Sequence, residues 1–98
     1  MRYEIHTTKQ FDYWFSSIND FRSRARILTR MDQIEEGHFG DHKPLGRDLV
    51  ELRFFFGPGY RVYYTVKGNQ VVLLISGGDK STQQKDIKKA HNLVDAME

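Results

Sequence analysis

The segment from Glu51 to Ile87, ELRFFFGPGYRVYYTVKGNQVVLLISGGDKSTQQKDI, constrains the fold more than any other part of the chain. It contains three stretches rich in Val, Tyr, Phe and Leu, each bounded by residues typical of turns. Such stretches are typical of β-strands, and short turns between them favour antiparallel neighbours. The segment therefore predicts three consecutive strands followed by the start of a helix.

Two glycine-containing turns join the predicted strands. Gly57-Pro58-Gly59-Tyr60 is typical of a type II turn, because proline supplies a φ of about −65° and glycine the positive φ. Gly68-Asn69 is typical of a two-residue hairpin turn. The strands then extend over Leu49–Phe56, Tyr60–Val66 and Gln70–Ser76, and the last is apolar on both faces, which indicates a central or covered strand.

Helical spacing of apolar residues predicts two helices before the sheet. Thr7 or Thr8 caps the first helix, and Asp20 caps the second, which ends near Gly37. A short strand over Arg2–His6 precedes them. The apolar positions of the two helices are Phe11, Trp14, Phe15 and Ile18, then Phe21, Ala25, Leu28, Met31 and Ile34.

Polar residues accompany and follow the second helix. Arg22, Arg26 and Arg30 lie four residues apart, which places them on the side away from the apolar residues. A solvated face is favoured there over a binding site. The following stretch, residues 38–48, is polar and contains two glycines and a proline, so it predicts a loop.

A third helix is predicted at the end of the chain. Ser81 and Gln84 have the spacing of a capping box, which marks its start. Gly77-Gly78 before it favours a turn, although backbone N–H groups there could bind a phosphate. The apolar positions expected to face inward are Ile87, Ala90, Val94 and Met97.

Composition excludes several classes of protein. The 98 residues suffice for one small domain, 1–98, and an apolar content of 39% is too high for disorder. The chain has no cysteine, which excludes disulfides, zinc–thiolate sites and a thiol nucleophile. The four histidines share no metal-ligand spacing, so neither a metal nor a cofactor is expected. With no readable signal peptide or apolar span, a soluble cytoplasmic protein is expected.

A small excess of positive charge lies in the sheet-forming half. Residues 1–50 carry eight charges of each sign, whereas residues 51–98 carry seven basic and five acidic residues. This asymmetry favours an anionic partner. Phe55 shares the predicted face of Arg53 and could stack on a nucleobase, but a covered core position is favoured for it.

The hairpin registers predict that cations meet at one end of the sheet. A turn at Gly68-Asn69 places Arg61 opposite Ser76. Lys80 follows Ser76 by four residues, so its long side chain can reach the surroundings of Arg61. Arg61 and Lys80 are therefore predicted to share one pocket.

The position of Arg53 depends on the length of the loop before Arg61. A two-residue Pro58-Gly59 loop sends Arg53 to the opposite face, whereas a bulge or a longer loop brings it beside Arg61. Because type II turns fit tight hairpins poorly, a bulge or a longer loop is favoured. In the alternative interpretation, the cations are ordinary surface residues paired with Glu51, Asp79 and Asp86.

Several motifs together resemble a known family. ELR, GPGYRVYY and GGDKS, followed by QxxDIxxA and preceded by ARILTRMDQIEEG and FGDHKPLG, resemble the phage-derived Gp49-like, HigB-type addiction module killer proteins of the RelE/ParE superfamily. The resemblance implies an α+β fold of order β-α-α-β-β-β-α, with a helical hairpin on one face of a mostly antiparallel sheet. It also implies a toxin held inactive by a helix-turn-helix antitoxin. In the RelE and HigB branches, such toxins cleave mRNA in the ribosomal A site without a metal.

The resemblance implies roles for residues of this sequence. Arg61 matches an arginine that stabilises charge on the scissile phosphate, and Lys80 matches a basic residue after the last strand. Glu51 stands where RelE-like proteins have a catalytic lysine, and Asp86 where some have a tyrosine. Proton transfer would then fall to Asp79, Lys80 or Glu51. The residues expected to bind RNA are Arg53, Lys43, His42 and Lys85.

Two alternative functions stay open. The absence of the RelE-type tyrosine and lysine is compatible with a ParE-like toxin that inhibits DNA gyrase and cuts no RNA. A nucleic-acid-binding module without activity would bind RNA in a salt-dependent manner and would not arrest growth.

Overall fold

The computed structural model describes residues 2–68 and 71–97. Within these residues, a five-stranded sheet carries two helices on one face and a third helix on the other. In chain order the elements are β1 (Glu4–Thr7), α1 (Lys9–Ser17), α2 (Phe21–Glu35), β2 (His42–Gly46), β3 (Leu49–Arg53), β4 (Arg61–Lys67), β5 (Val71–Gly78), a 3-10 turn (Lys80–Thr82) and α3 (Gln83–Ala96).

The strand order across the sheet is β1-β5-β4-β3-β2. β1 runs parallel to β5, and every other neighbouring pair is antiparallel. The predicted α+β fold, with a helical hairpin on a mostly antiparallel sheet, is confirmed. β5 lies between β1 and β4, which explains why its residues are apolar on both faces.

Strand β2 lies within the stretch that was predicted to be a loop. Arg47 and Asp48 join it to β3 in a two-residue turn, with positive φ values of 49° and 63°. Positive φ at both central residues is typical of a type I′ hairpin turn. Pro44 is tolerated because β2 is an edge strand, where a missing N–H disrupts no second ladder. The loop prediction was wrong because such an edge strand has the composition of a loop.

A bulge corrects the predicted register of β4 and β5. Arg61 lies opposite Gly78 and not Ser76, a difference of two residues: Lys67 pairs with Val71, one residue later than predicted, and the pairing shifts by one more between Tyr63 and Tyr64. The extra residue on β5 displaces every later pair. The predicted turn at Gly68-Asn69 and strand start at Gln70 include residues 69 and 70, which lie outside the described residues.

The loop between β3 and β4 is longer than a tight hairpin. Its last backbone bond joins the N–H of Phe54 to the carbonyl of Tyr60, at 3.0 Å. Inside it, the N–H of Gly59 donates to the carbonyl of Phe56, which makes Gly57 and Pro58 the central turn residues. The predicted strand end at Phe56 and turn at Pro58-Gly59 were therefore displaced along the chain, but the preference for a longer loop is confirmed.

Two apolar layers hold the helices on the sheet. The layer beneath α3 contains Leu49, Tyr63, Ile75, Ala90 and Val94, so the predicted inward face of this helix is confirmed. The layer beneath α1 and α2 is larger. Its buried residues are Phe11, Ile18, Ile27, Ile34, Leu52, Phe54, Val62, Tyr64, Val72 and Leu74.

The predicted face of α2 was rotated relative to the observed one. Phe21 is 81% exposed and Leu28 is about half exposed, whereas Ile27 is buried. The guanidinium carbons of Arg26, which is exposed, and Arg30, which is half-buried, lie 4.9 Å and 4.6 Å from the ring centroids of Phe56 and Phe54. The predicted solvated face is therefore wrong for Arg30, whereas Arg22 and Arg26 are exposed as predicted, and Arg26 also stacks on an aromatic ring.

The caps of α1 and α2 follow local rules. The hydroxyl of Thr8 accepts a hydrogen bond from the N–H of Phe11, at 3.1 Å. The carboxylate of Asp20 accepts from the N–H of Arg22 and from the hydroxyl of Ser23. The bond from Ser23 is the largest cause that lowers the pKa of Asp20.

The start of the last helix differs from its prediction. Asp79, and not Ser81, caps the 3-10 turn that leads into α3, and its carboxylate accepts from the N–H and the hydroxyl of Ser81. Gly77 and Gly78 belong to β5 and not to a turn. A Cβ at Gly77 would overlap the ring of Trp14, so these glycines permit close packing of helices on the strand end.

Replacing Thr8 with alanine is expected to lower the free energy of unfolding by about 1 kcal/mol, because the first turn of α1 loses its side-chain cap. The same hydroxyl donates to the carbonyl of Ile75, which ties α1 to β5. Urea denaturation followed by circular dichroism measures the change. Thr29→Ala, on an exposed position inside α2, is the matched control and should cost less. Equal losses in both variants would contradict the capping role.

Candidate nucleic-acid interface

The pairing of β3 with β4 sets the positions of the two central arginines. Arg53 lies directly opposite Arg61, so their side chains leave the sheet on the same face. Glu51 and Tyr63 form the neighbouring pair on that face, which is the face covered by α3. Arg53 therefore lies beside Arg61, as predicted for a loop longer than two residues.

Arg61 is held rigidly in a buried position. Only 6% of its surface is exposed. Its Nη1 donates to the carbonyls of Gly59, Tyr60 and Phe54 at 2.9, 3.1 and 3.4 Å. Its Nε is buried without a partner, and no hydrogen bond to a described residue involves Nη2. One edge of the guanidinium thus orders the loop.

Arg61 and Lys80 line the same cavity, of about 320 Å³, at the end of the sheet. The register of β4 and the 3-10 turn bring them together, since the N–H of Lys80 approaches the carbonyl of Pro58 at 3.4 Å. Lys80 is exposed and forms no ion pair with a described residue. The predicted shared pocket is present; the other lining residues are Phe54, Phe55, Phe56, Gly57, Pro58 and Gly59.

Arg53 is paired with a carboxylate that the sequence analysis did not consider. Its Nη2 lies 3.0 Å from Oδ1 of Asp41, and both side chains are about one-third exposed. The hydrogen bond to Asp41 raises the pKa of Arg53 further, which keeps this arginine charged. The pairing was missed because Asp41 lies just before β2, which was not predicted.

The alternative interpretation, in which Glu51, Asp79 and Asp86 neutralise the cations, is wrong within the part of the chain that the structure describes. Glu51 is buried, with 1% of its surface exposed, and accepts a hydrogen bond from Nε2 of Gln83 at 2.8 Å. Asp79 caps the 3-10 turn, and Asp86 accepts from the hydroxyl of Thr82. All three carboxylates are thus bound to neutral groups.

The two carboxylates predicted to transfer protons are occupied by structural contacts. Glu51 lies beneath α3 and does not line the cavity of Arg61 and Lys80. Asp79 uses Oδ1 for the cap. Proton transfer by either residue stays a prediction.

The remaining predicted RNA-binding residues occupy separate places. His42 pairs with Leu52 and so belongs to the α1–α2 face, where its Nδ1 lies 2.8 Å from the carbonyl of Gly40. Lys43 lies opposite Glu51, on the α3 face, and is exposed. Lys85 is exposed at the start of α3 and shares a second cavity with Lys80. Only Lys43 and Lys85 thus accompany the arginines on their side of the sheet.

Three consecutive phenylalanines separate the two arginines, and they have different environments. Phe54 is 3% exposed, and Phe56 is half-buried against Tyr60. Phe55 is 77% exposed, so the favoured prediction of a covered position was wrong. The strand ends at Arg53, and the loop then turns Phe55 toward solvent. An exposed aromatic ring beside cations suits single-stranded nucleic acid.

Neither a metal site nor a membrane segment is found in the described part of the chain. Across residues 2–68 and 71–97, no three His, Asp or Glu side chains form a group able to hold a metal ion. No helix in the same residues has the length and apolar character needed to cross a membrane.

Residues 14–95 match the family described as phage derived protein Gp49-like (DUF891). An uncharacterized protein of Haemophilus influenzae is 42% identical over 97 residues, which cover 99% of this chain and 98% of that protein. The family match begins within α1 and includes α2, strands β2 to β5, the cavity and most of α3, whereas the match to the Haemophilus protein covers nearly the whole chain.

Solved toxin structures have the same fold. The toxin–antitoxin complex RelBE2 of Mycobacterium tuberculosis contains a chain that matches with a TM-score of 0.67 at 15% identity, covering 82% of this chain and 100% of that one. A double-arginine mutant of E. coli toxin RelE in the free state matches with a TM-score of 0.69 at 19% identity, covering 91% and 98%. The predicted RelE-type fold is confirmed.

Alkaline pH is expected to destabilise the protein through its buried tyrosines. Burial raises the pKa of Tyr64 to about 12, and burial, followed by the charge of Glu51, raises the pKa of Tyr63. An unfolded tyrosine ionises near pH 10, so stability is complete below that pH and falls above it, by about 1 kcal/mol per tyrosine at pH 11. Urea denaturation at pH 8 and pH 11 measures the loss.

Phenylalanine variants test this pH dependence. Tyr63→Phe with Tyr64→Phe should flatten it, and because the Tyr63 hydroxyl is buried without a hydrogen bond, the cost at pH 8 should be small. Tyr13→Phe, at a highly exposed position, should leave the pH dependence unchanged. An unaltered alkaline loss in the double variant would rule out these tyrosines as its source.

Proposed function

This chain belongs to the phage derived Gp49-like family, and on that premise we propose that it is the toxin of a type II toxin–antitoxin system. It would act in the cytoplasm as one RelE-type domain, held inactive by a cognate helix-turn-helix antitoxin. The fold shared with RelE and with the toxin–antitoxin complex RelBE2 supports this proposal.

The activity proposed is ribosome-dependent, metal-independent cleavage of mRNA. The observation that carries it is the cavity in which Arg61 and Lys80 meet beside an exposed aromatic ring. Two cations that line one cavity can bind the phosphate of an RNA backbone. Lys43 and Lys85, exposed on the same side of the sheet, would bind neighbouring phosphates, and Arg53 would act with them.

In the cleavage step, the ribose 2′-oxygen would lose its proton to a base and bond to the adjacent phosphorus as the P–O5′ bond breaks. The products would be a 2′,3′-cyclic phosphate and, once the leaving oxygen is protonated, a 5′-hydroxyl. The enzyme must align these groups and stabilise the negative charge that develops on the phosphate oxygens. Arg61 is suited to this task because three carbonyls hold it in place before substrate arrives. Lys80 would neutralise charge on the same phosphate, and its ammonium group could donate a proton to the leaving 5′-oxygen.

A ParE-like toxin that inhibits DNA gyrase is the second candidate. It is favoured by the carboxylates, because Glu51 is buried under α3 and Asp79 is used as a cap. A nuclease needs groups that move protons, whereas a toxin acting by binding needs none. The cations would then contact the partner surface.

Substituting the cavity cations should abolish cleavage without unfolding the protein. Lys80→Ala and Arg61→Lys are expected to lower mRNA cleavage by about 10²-fold or more, because each removes charge stabilisation or its geometry. Primer extension on mRNA after induction in bacteria measures the cuts. Arg61→Ala also removes three hydrogen bonds, so its circular dichroism spectrum must be compared with that of the unaltered protein.

Lys67→Ala is the matched control, since Lys67 is an exposed cation at the opposite end of β4. It should cleave as the unaltered protein does. Retained cleavage in Lys80→Ala and Arg61→Lys would refute the assigned roles. DNA damage after induction, with no cuts in mRNA, would replace the nuclease by the gyrase inhibitor.

A further inference from the structure

We infer that Phe55 is a stacking platform for a nucleobase of single-stranded RNA, at the rim of the cavity that contains Arg61 and Lys80. This role rests on the proposed function and adds a base contact next to the proposed phosphate site. Three observations carry it: the exposure of the ring, the cation beside it, and its place in the cavity wall.

The exposure of Phe55 contrasts with that of its two neighbours. Phe54 packs in the sheet core with Arg30 over its ring, and Phe56 contacts Phe54 and Arg26. Both rings therefore have protein partners. Phe55 is 77% exposed in the same loop, so its ring contributes little hydrophobic stabilisation to the fold. A ring presented in this way is available to a ligand with an aromatic face.

Arg53 lies beside the ring of Phe55. Its guanidinium carbon is 5.9 Å from the ring centroid, and the ion pair with Asp41 holds that guanidinium in place. A cation at this distance is attracted by the ring and limits its motion. A pre-positioned ring loses less conformational freedom when it stacks on a base.

Phe55 lies in the wall of the cavity that contains the proposed phosphate ligands. Phe55, Arg61 and Lys80 line one cavity of about 320 Å³. A nucleotide whose phosphate contacts Lys80 would thus have its base beside an apolar ring. The other highly exposed rings, Tyr13 and Phe21, do not line this cavity. Because every base has a π-face, this contact would tolerate different sequences.

The inference is tested with a short oligoribonucleotide that contains the fluorescent base 2-aminopurine, at low salt. Stacking on Phe55 should quench the fluorescence as the unaltered protein binds. Phe55→Leu keeps an apolar side chain without the π-face, and is expected to weaken binding by roughly 5- to 150-fold and to abolish the quenching. Phe55→Trp should retain both.

Two controls separate stacking from other effects. Phe21→Leu removes an equally exposed phenylalanine on α2 and should change neither binding nor quenching. An oligoribonucleotide with an abasic site in place of 2-aminopurine should bind Phe55→Leu and the unaltered protein equally well. Failure of either expectation would overturn the base contact.

The outcomes distinguish this inference from the proposed function. If Phe55→Leu binds and quenches as the unaltered protein does, while Lys80→Ala binds weakly, the stacking role is wrong and the RNA site stands. If the unaltered protein neither binds the oligoribonucleotide nor cuts mRNA on ribosomes, both are overturned. Weakened binding and reduced mRNA cleavage in both Phe55→Leu and Lys80→Ala, with Phe21→Leu unchanged, would support both.

Discussion

The pairing of Arg53 with Arg61 across β3 and β4 is the constraint on which the candidate site depends. It places two guanidinium groups on one face of the sheet, where like charges repel unless each has partners. Each arginine is compensated differently. Asp41 pairs with Arg53, whereas Arg61 donates to three backbone carbonyls of the loop. The loop is ordered by the same cation that is proposed to bind substrate.

Helix α2 stabilises this loop from the other face of the sheet. Arg30 donates to the carbonyl of Arg53 at 3.1 Å and stacks on Phe54, and Arg26 stacks on Phe56. Burial lowers the pKa of Arg30, but an arginine stays protonated at any physiological pH. The loop is thus held by cations on both of its sides, which leaves Phe55 as the ring that faces outward.

The candidate site could be predicted in part. The prediction that Arg61 and Lys80 share a pocket needed only a hairpin and the reach of two long side chains, so a register error of two residues did not affect it. The face on which Arg53 lies depended on the length of the loop before Arg61. The exposure of Phe55 depended on the residue at which β3 ends. The role of Asp41 could not be foreseen, because it depends on an edge strand whose glycine and proline are typical of a loop.

The amino-acid sequence determined the type and order of most elements and the caps at Thr8 and Asp20, because these depend on side chains within a few residues of one another. Tertiary structure alone decided the bulge in β5, the pairing of β2 and the face that α2 buries. The apolar spacing on α2 predicted a buried face that differs from the observed one. Arg26 and Arg30 stack on Phe56 and Phe54 of the loop after β3, and no local pattern contains these partners because they are distant in the chain.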